Sequence, residues 1–181
     1  MSKKPTVIFI HGNGGATAED AWIPEVSLAL KEAGIPVISQ TFPDNKLARA
    51  SRWLPFIDQL GADSDTILVG HSSGALASMR YAQSHKIMGS VLIGACHTDL
   101  GDETEKASGY FDTPWEWKNI RENQQWIMQF GSTDDPYIPI AEQYFVRDNL
   151  KSEFHEFNTY GHFLTNSFPE LTKAILDKIQ L

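Results

Sequence analysis

Six short runs rich in β-branched and apolar residues recur along the chain, at Thr6 to Ile10, Val37 to Thr41, Thr66 to Val69, Ser90 to Ile93, Trp126 to Phe130 and Glu153 to Phe157. Longer amphipathic stretches separate them, at about Ala21 to Glu32, Asn45 to Leu60, Gly74 to Ser84, Ile140 to Leu150 and Glu170 to Ile179. Parallel strands need crossovers of a dozen or more residues, so the alternation predicts an α/β fold. The expected form is a compact three-layer sandwich, a mostly parallel sheet of about six strands flanked by helices. Most of the runs are nearly unbroken in apolar residues, as strands covered on both faces require. Gly34 and Gly61 are placed to stop the first two helices.

At 181 residues the chain has room for one domain, here read as 1–181. One segment departs from the alternation. Thr98 to Lys118 carries Gly, Asp, Glu and Thr first, then Tyr110, Phe111, Trp115 and Trp117. Such a long excursion after a strand is expected to be functional, a lid or a protein-contact patch, unless its aromatic residues simply pack on the sheet.

A net charge of −8 and a pI near 5.1 argue against nucleic acid as a partner, because phosphate binding needs clustered Lys and Arg. The start, Met1 to Pro5, is basic, but the apolar run after it is too short for a signal-peptide core. No segment reaches the roughly 20 apolar residues of a membrane span. With the single Cys96 excluding an internal disulfide framework, a cytoplasmic protein is the expectation.

The chemistry centres on Gly70-His71-Ser72-Ser73-Gly74, a G-x-S-x-G motif between an apolar strand and a small-residue helix. That context places Ser72 on a sharp strand-to-helix turn, where small neighbours are needed because the backbone is crowded. A serine hydroxyl requires a base, and the base an orienting acid; the chain order for this elbow is Ser, acid, His. Of the six histidines, His85, His97, His155 and His162 follow Ser72. His85 lies at the far end of the helix, His155 falls inside the last strand and His97 precedes any suitable acid. His162, in Tyr160-Gly161-His162-Phe163 after the last strand, is the candidate base.

The acid is expected in Gly131-Ser132-Thr133-Asp134-Asp135-Pro136. Pro136 biases its predecessor toward extended backbone, which favours Asp135, with Asp134 the alternative. Candidate oxyanion donors are the backbone N–H groups of Ser73 and of Asn13, or in place of the latter Gly14, in the loop His11-Gly12-Asn13-Gly14-Gly15. That loop lacks G-x-G-x-x-G and any following Gly-Lys-Ser/Thr, so phosphate binding is not expected. His11 is read as a structural residue that also borders the candidate pocket, together with Tyr110, Phe111 and Trp115. Asp102, Glu103 and Glu105 are read as solvated surface. Neither a metal nor another cofactor is expected, since no H-E-x-x-H or comparable spacing occurs.

Taken together, "GNGG" at 12–15, "WLPF" at 53–56, "GHSSGA" and "MRYA" around Ser72, "ASGYF" with "PWEW" at 107–117, "FGSTDDP" at 130–136 and "GHF" at 161–163 carry a resemblance. Over nearly its whole length the chain resembles the small serine hydrolases of the α/β-hydrolase fold related to retinoblastoma-binding protein 9. The resemblance implies that fold, places Ser72, Asp135 and His162 as nucleophile, acid and base, and favours Asp135 over Asp134. It implies an esterase-like hydrolase that takes a small acyl substrate through an acyl-enzyme. The other reading is a binding or scaffolding protein that keeps a vestigial site. Two departures stand out. The family's Leu-x-Cys-x-Glu motif is replaced by Leu60-Gly61-Ala62-Asp63-Ser64, so pocket-protein binding is not expected, and His11 stands where the family's namesake has proline.

Overall fold

A computed structural model describes residues 4–179; the basic residues Met1 to Lys3 lie outside the described part. In chain order the elements are β1 (Thr6–Ile10), α1 (Ile23–Glu32), β2 (Val37–Ser39), α2 (Ala50–Gln59), β3 (Thr66–His71), α3 (Ser73–Ala82), β4 (Gly89–Ile93), α4 (Glu103–Ala107), α5 (Trp117–Glu122), β5 (Trp126–Ser132), α6 (Ile140–Leu150), β6 (Glu153–Phe157) and α7 (Pro169–Ile179). The six strands form one sheet in the order β2-β1-β3-β4-β5-β6, every pair parallel.

Alternation along each central strand divides the core in two. Ile8, Ile10, Leu68 and Leu92 join the cluster that faces α2, α3, α5 and α6, while Val7, Phe9, Ile67, Val69, Val91 and Ile93 join the one that faces α1 and α7. Both faces of the central strands are therefore dry, which explains their unbroken apolar reading. Full burial of a Val, Leu, Ile or Phe side chain contributes about 1.5–3 kcal/mol, so this two-sided packing is the main support of the sheet.

Element ends differ from the expected spans where the backbone turns left-handed. The second helix begins at Ala50 rather than Asn45, because Asp44 (φ 56°) and Ala48 (φ 51°) hold the 44–48 segment as a turn. The first begins at Ile23, after Ala21 at φ 52°. Strand β2 stops at Ser39, whereas β3 and β5 run on to His71 and Ser132. The 98–118 excursion contains the short helix α4 and the start of α5 rather than being irregular throughout.

Strand order reverses direction at β1, with β2 added on one side and β3 on the other. At such a switch point the loops leaving two neighbouring strands diverge and open a crevice. Here the diverging loops are 11–15 after β1 and Ser72 after β3. The elbow at Ser72 has φ 55° and ψ −116°, and its amide donates to the Ile93 carbonyl at 2.8 Å. A Cβ on Gly70 would stand 2.2 Å from the Gly74 carbonyl oxygen, and one on Gly74 would stand 2.0 Å from that of Ile10. Both clashes are with backbone, so neither is relieved by turning a side chain. Gly74→Ala is expected to lower the unfolding free energy by at least the ~1–3 kcal/mol typical of overpacking, read as a reduced urea midpoint at unchanged m-value.

Candidate active site

A cavity of about 760 Å³ opens over the carboxyl ends of β1 and β3. His11, Gly12, Asn13, His71, Ser72 and His162 line its floor, and Leu100, Asp102, Thr104 and Glu105 from the excursion contribute to its wall. Three chain segments far apart in sequence thus bring Ser72, His162 and the 11–15 loop to one surface.

Asp135 follows β5 and has a side chain with no solvent exposure. Its Oδ1 accepts the backbone N–H groups of Tyr137 and Ile138, each at 2.9 Å, while Oδ2 lies 2.8 Å from Nδ1 of His162. A buried carboxylate with three donors is compensated, and with both oxygens engaged it holds one geometry. The acceptor at Nδ1 fixes the neutral imidazole with its proton there and leaves Nε2 as the basic nitrogen. Asp134 does something else: its Oδ1 accepts from Ser132 Oγ at 2.5 Å and from the Gly161 amide at 2.9 Å. The Ser132 hydroxyl, ahead of the Gly161 amide, holds this exposed carboxyl below the usual range. Of the two aspartates, Asp135 is the one that meets the imidazole.

The amides of Asn13 and Ser73 have no acceptor among the described residues. Ser73 opens the ten-residue helix α3, where the first N–H groups lack intrahelical partners and the dipole favours negative charge. On the other side, the loop is held by its neighbours: Gly14 and Gly15 donate to the carbonyls of Lys46 and Asn45 at 3.1 Å each. His11, buried beside Phe42 and Trp53, donates from Nδ1 to the Gly12 carbonyl and accepts the Phe42 amide at Nε2, both at 2.8 Å. Burial lowers its pKa, in keeping with a neutral ring that both donates and accepts. In a trans peptide C=O and N–H point opposite ways, so fixing the Gly12 carbonyl also fixes the direction of the Asn13 amide.

The aromatic residues expected at the pocket lie elsewhere. Tyr110, Phe111 and Trp115 are absent from the cavity lining; Tyr110 is fully buried, and Phe111 and Trp115 pack against the α2/α3 side of the core. Arg80 of α3 explains this. Its guanidinium stacks 3.8 Å from the centre of the Trp115 ring and donates to the carbonyls of Tyr110, Thr113 and Pro114, drawing that half of the excursion onto the helix. The acidic half is what borders the cavity. Glu105, expected as solvated surface, is half-buried and accepts from Asn13 Nδ2 at 2.6 Å; burial raises its carboxyl above the ordinary value. Asp102 caps α4 by accepting the amides of Thr104 and Glu105.

Two further residues were not singled out from the sequence as functional. His71, the second letter of the serine motif, places Nε2 2.7 Å from the His162 carbonyl, and the indole of Trp22 donates to the Phe163 carbonyl at 3.0 Å. Gly94, at φ 63°, leaves space beside the pair: a Cβ there would stand 3.3 Å from the His162 ring. Nothing in a one-dimensional pattern marks His71 or Trp22, since each meets the loop across the fold. Among the described residues, no helix is long and apolar enough to cross a membrane, and no group of three or more His, Cys, Asp or Glu is arranged to hold a metal ion.

Comparison with known proteins bears on the family and the fold. Residues 7–173 match the model of the Alpha/beta hydrolase family. The serine hydrolase RBBP9 of Rattus norvegicus is 42% identical over 178 residues, covering 97% of this chain and 96% of the relative. Among solved structures, the ydeN gene product of B. subtilis superposes with a TM-score of 0.89 at 21% identity, covering 99% of this chain and all of the other. Est1E from Butyrivibrio proteoclasticus, solved with ferulic acid bound, gives 0.77 at 15% identity over 98% of this chain and 89% of its own. At those identities the two structures are alike in fold.

Burial, and next the repulsion from His162, pushes the pKa of His71 from 6.5 down to about 3, with hydrogen bonding to the His162 carbonyl and the nearby Asp135 charge partly opposing and His11 adding to the fall. The unfolded chain therefore binds one more proton than the folded one between about pH 3 and 6.5, and stability contributed by this group is complete above 6.5 and lost on acidification. Its slope approaches at most about 1.4 kcal/mol per pH unit. Urea midpoints of the parent are expected to fall across this window, and those of His71→Gln, with no group to protonate there, to fall less.

Proposed function

We propose that this chain, which belongs to the alpha/beta hydrolase family and is a hydrolase, cleaves a carboxylic ester, thioester or amide of a small acyl substrate through an acyl-enzyme on Ser72. Ser72 Oγ attacks the acyl carbonyl while His162 Nε2 takes its proton, and the N–H groups of Asn13 and Ser73 receive the negative charge that develops on oxygen. Collapse of the adduct breaks the bond to the leaving group, which departs with the proton held by His162. Water, deprotonated by the same nitrogen, then attacks the acyl-enzyme and releases the acid. Asp135 keeps the proton of the resting imidazole on Nδ1 and stabilises the imidazolium. No cofactor takes part.

The observation that carries the reading is the 2.8 Å contact from the buried side chain of Asp135 to His162, a residue that borders the same cavity as Ser72. Held at Nδ1 in this way, the imidazole keeps one tautomer, with Nε2 free to take the hydroxyl proton. At the cavity mouth Leu100, Tyr137 and Leu164 are large apolar side chains left exposed, Tyr137 and Leu164 by more than 60%. We assign them to contact with the apolar part of the substrate. A cytoplasmic location belongs to the same proposal, supported by a single cysteine, Cys96, that is buried and unpaired.

A fluorophosphonate probe should label the protein stoichiometrically. Labelling should disappear in Ser72→Ala and persist in Ser73→Ala; transfer of the label to Ser73 would overturn the assignment. With a short-chain p-nitrophenyl ester, Asp135→Asn should lower kcat by up to about 10⁴-fold, the scale seen when a base is left in the wrong tautomer. Asp134→Asn, at a carboxylate bonded to the Ser132 hydroxyl and the Gly161 amide rather than to the imidazole, should have a far smaller effect.

A further inference from the structure

The loop that carries His162 has an unusual backbone. Gly161 at φ 54° and Phe163 at φ 56° flank the base, both left-handed, and Phe163 is a bulky residue for which that region costs on the order of 1–2 kcal/mol. Such a conformation persists only where its surroundings over-determine it. Here Asp134 takes the Gly161 amide, the Tyr160 carbonyl takes the Phe163 amide at 2.9 Å, and the carbonyls of His162 and Phe163 turn inward to buried side chains. Those side chains are His71 and Trp22, on β3 and at the entry to α1.

We infer that His71 is a positioning residue for the base: by donating from Nε2 to the His162 carbonyl at 2.7 Å it sets where the imidazole stands relative to Ser72, its own neighbour in the chain. Trp22 supports the same loop one residue on, through the Phe163 carbonyl. The inference rests on the acyl-hydrolase reading above. A carbonyl only accepts, so the proton of the His71 ring lies on Nε2. Its ring lies 4.9 Å from that of His162 and 6.1 Å from that of Trp22, and a Cβ added to Gly12 of the oxyanion loop would stand 3.8 Å from its Nδ1. Asp135 fixes the rotation and tautomer of the imidazole, but a carboxylate at one ring nitrogen leaves the height of the ring above the sheet to its backbone. His71 ties that backbone to the last residue of β3, the residue before the nucleophile. One strand end thus carries the attacking oxygen and the anchor of its base.

Gln at 71 can place an amide nitrogen near the former Nε2, whereas Asn cannot reach that far and Leu has no donor. The four proteins, parent, His71→Gln, His71→Asn and His71→Leu, are compared in p-nitrophenyl ester turnover, alongside Trp22→Phe. Loss of one buried hydrogen bond that acts on alignment is expected to lower kcat about tenfold in His71→Asn and His71→Leu, with KM within about twofold, while His71→Gln stays within about threefold of the parent. Trp22→Phe should lower kcat several-fold in the same manner. The far-downfield proton signal of the His162 Nδ1–H bound to Asp135 should stay sharp in His71→Gln and broaden in His71→Asn.

Equal turnover in the Gln and Asn proteins overturns the inference, as does a loss confined to KM or one that follows only the unfolding midpoint. If His71→Leu does not fold, the Gln and Asn pair, both polar and similar in size, decides alone. Fluorophosphonate titration of the parent separates the two levels. A parent labelled at Ser72 with indifferent variants removes only the role of His71, whereas a parent that neither labels nor turns over removes the hydrolase reading and this inference with it.

Discussion

Helix α3 starts so close to the ends of β1 and β3 that only glycine fits at Gly70 and Gly74, where added Cβ atoms would meet backbone oxygens at 2.2 and 2.0 Å. From that approach follows the rest of the site. With α3 pressed against β1, the chain has no length in which to turn gradually, and Ser72 takes φ 55° and ψ −116° at the crest. The side chain is thereby lifted out of the sheet, and the amide of Ser73 is left at the unpaired start of a helix. The strain at Ser72 is held by the 2.8 Å bond from its amide to Ile93 and by the dry packing of the strands on either side.

The same proximity makes the sheet order matter. Because β1 and β3 are neighbours in register, Ile10 opposite Gly70, the loop after β1 emerges beside the elbow rather than a strand away. His11 then acts on that loop from beneath, fixing the Gly12 carbonyl, and the 45–46 carbonyls hold Gly14 and Gly15 from outside. On the far side β4 lies between the elbow and β5, and Gly94 at its end keeps the space through which Asp135 reaches His162. Gly70, Gly74 and Gly94 stand where two chain segments have to approach.

What could be read from the sequence was what repeats or what is local. The four central strands were legible because two-sided burial leaves an apolar run that needs no knowledge of partners, and the edge strands β2 and β6, only partly buried, through their β-branched and aromatic residues. Ser72 was legible since the requirement for Gly70 and Gly74 is written within five residues. Asp135 was distinguishable from Asp134 through Pro136, a local backbone bias, and the structure gives the two aspartates different partners, one the imidazole and the other the Gly161 amide. Illegible were the contacts made across the fold. The aromatic half of the excursion was expected near the pocket, but Arg80, a helix residue whose guanidinium happens to face three carbonyls and Trp115, holds it on α3. Glu105 looked like one acid among several until its distance to Asn13 was known. His71 was hidden inside the motif itself, as the letter the pattern leaves free.

The distribution of charge at the cavity bears on what such a site can recognise. Asp20 accepts from the amide and hydroxyl of Thr17, Asp102 caps α4, and Glu105 holds the Asn13 side chain. Each of these three cavity acids therefore helps to shape the walls through one of its oxygens. Leu100, Tyr137 and Leu164 carry no such duty at their side-chain tips and stand exposed at the mouth. In a chain with a net charge of −8, the entrance to the site is thus furnished by apolar surface while the nearby carboxylates are bonded to donors of their own loops and of Asn13. Under the proposed chemistry, that division lets an uncharged acyl group be held by contact area and shape, and reserves the directed hydrogen bonds of Asn13 and Ser73 for the charge that appears only as the carbonyl is attacked.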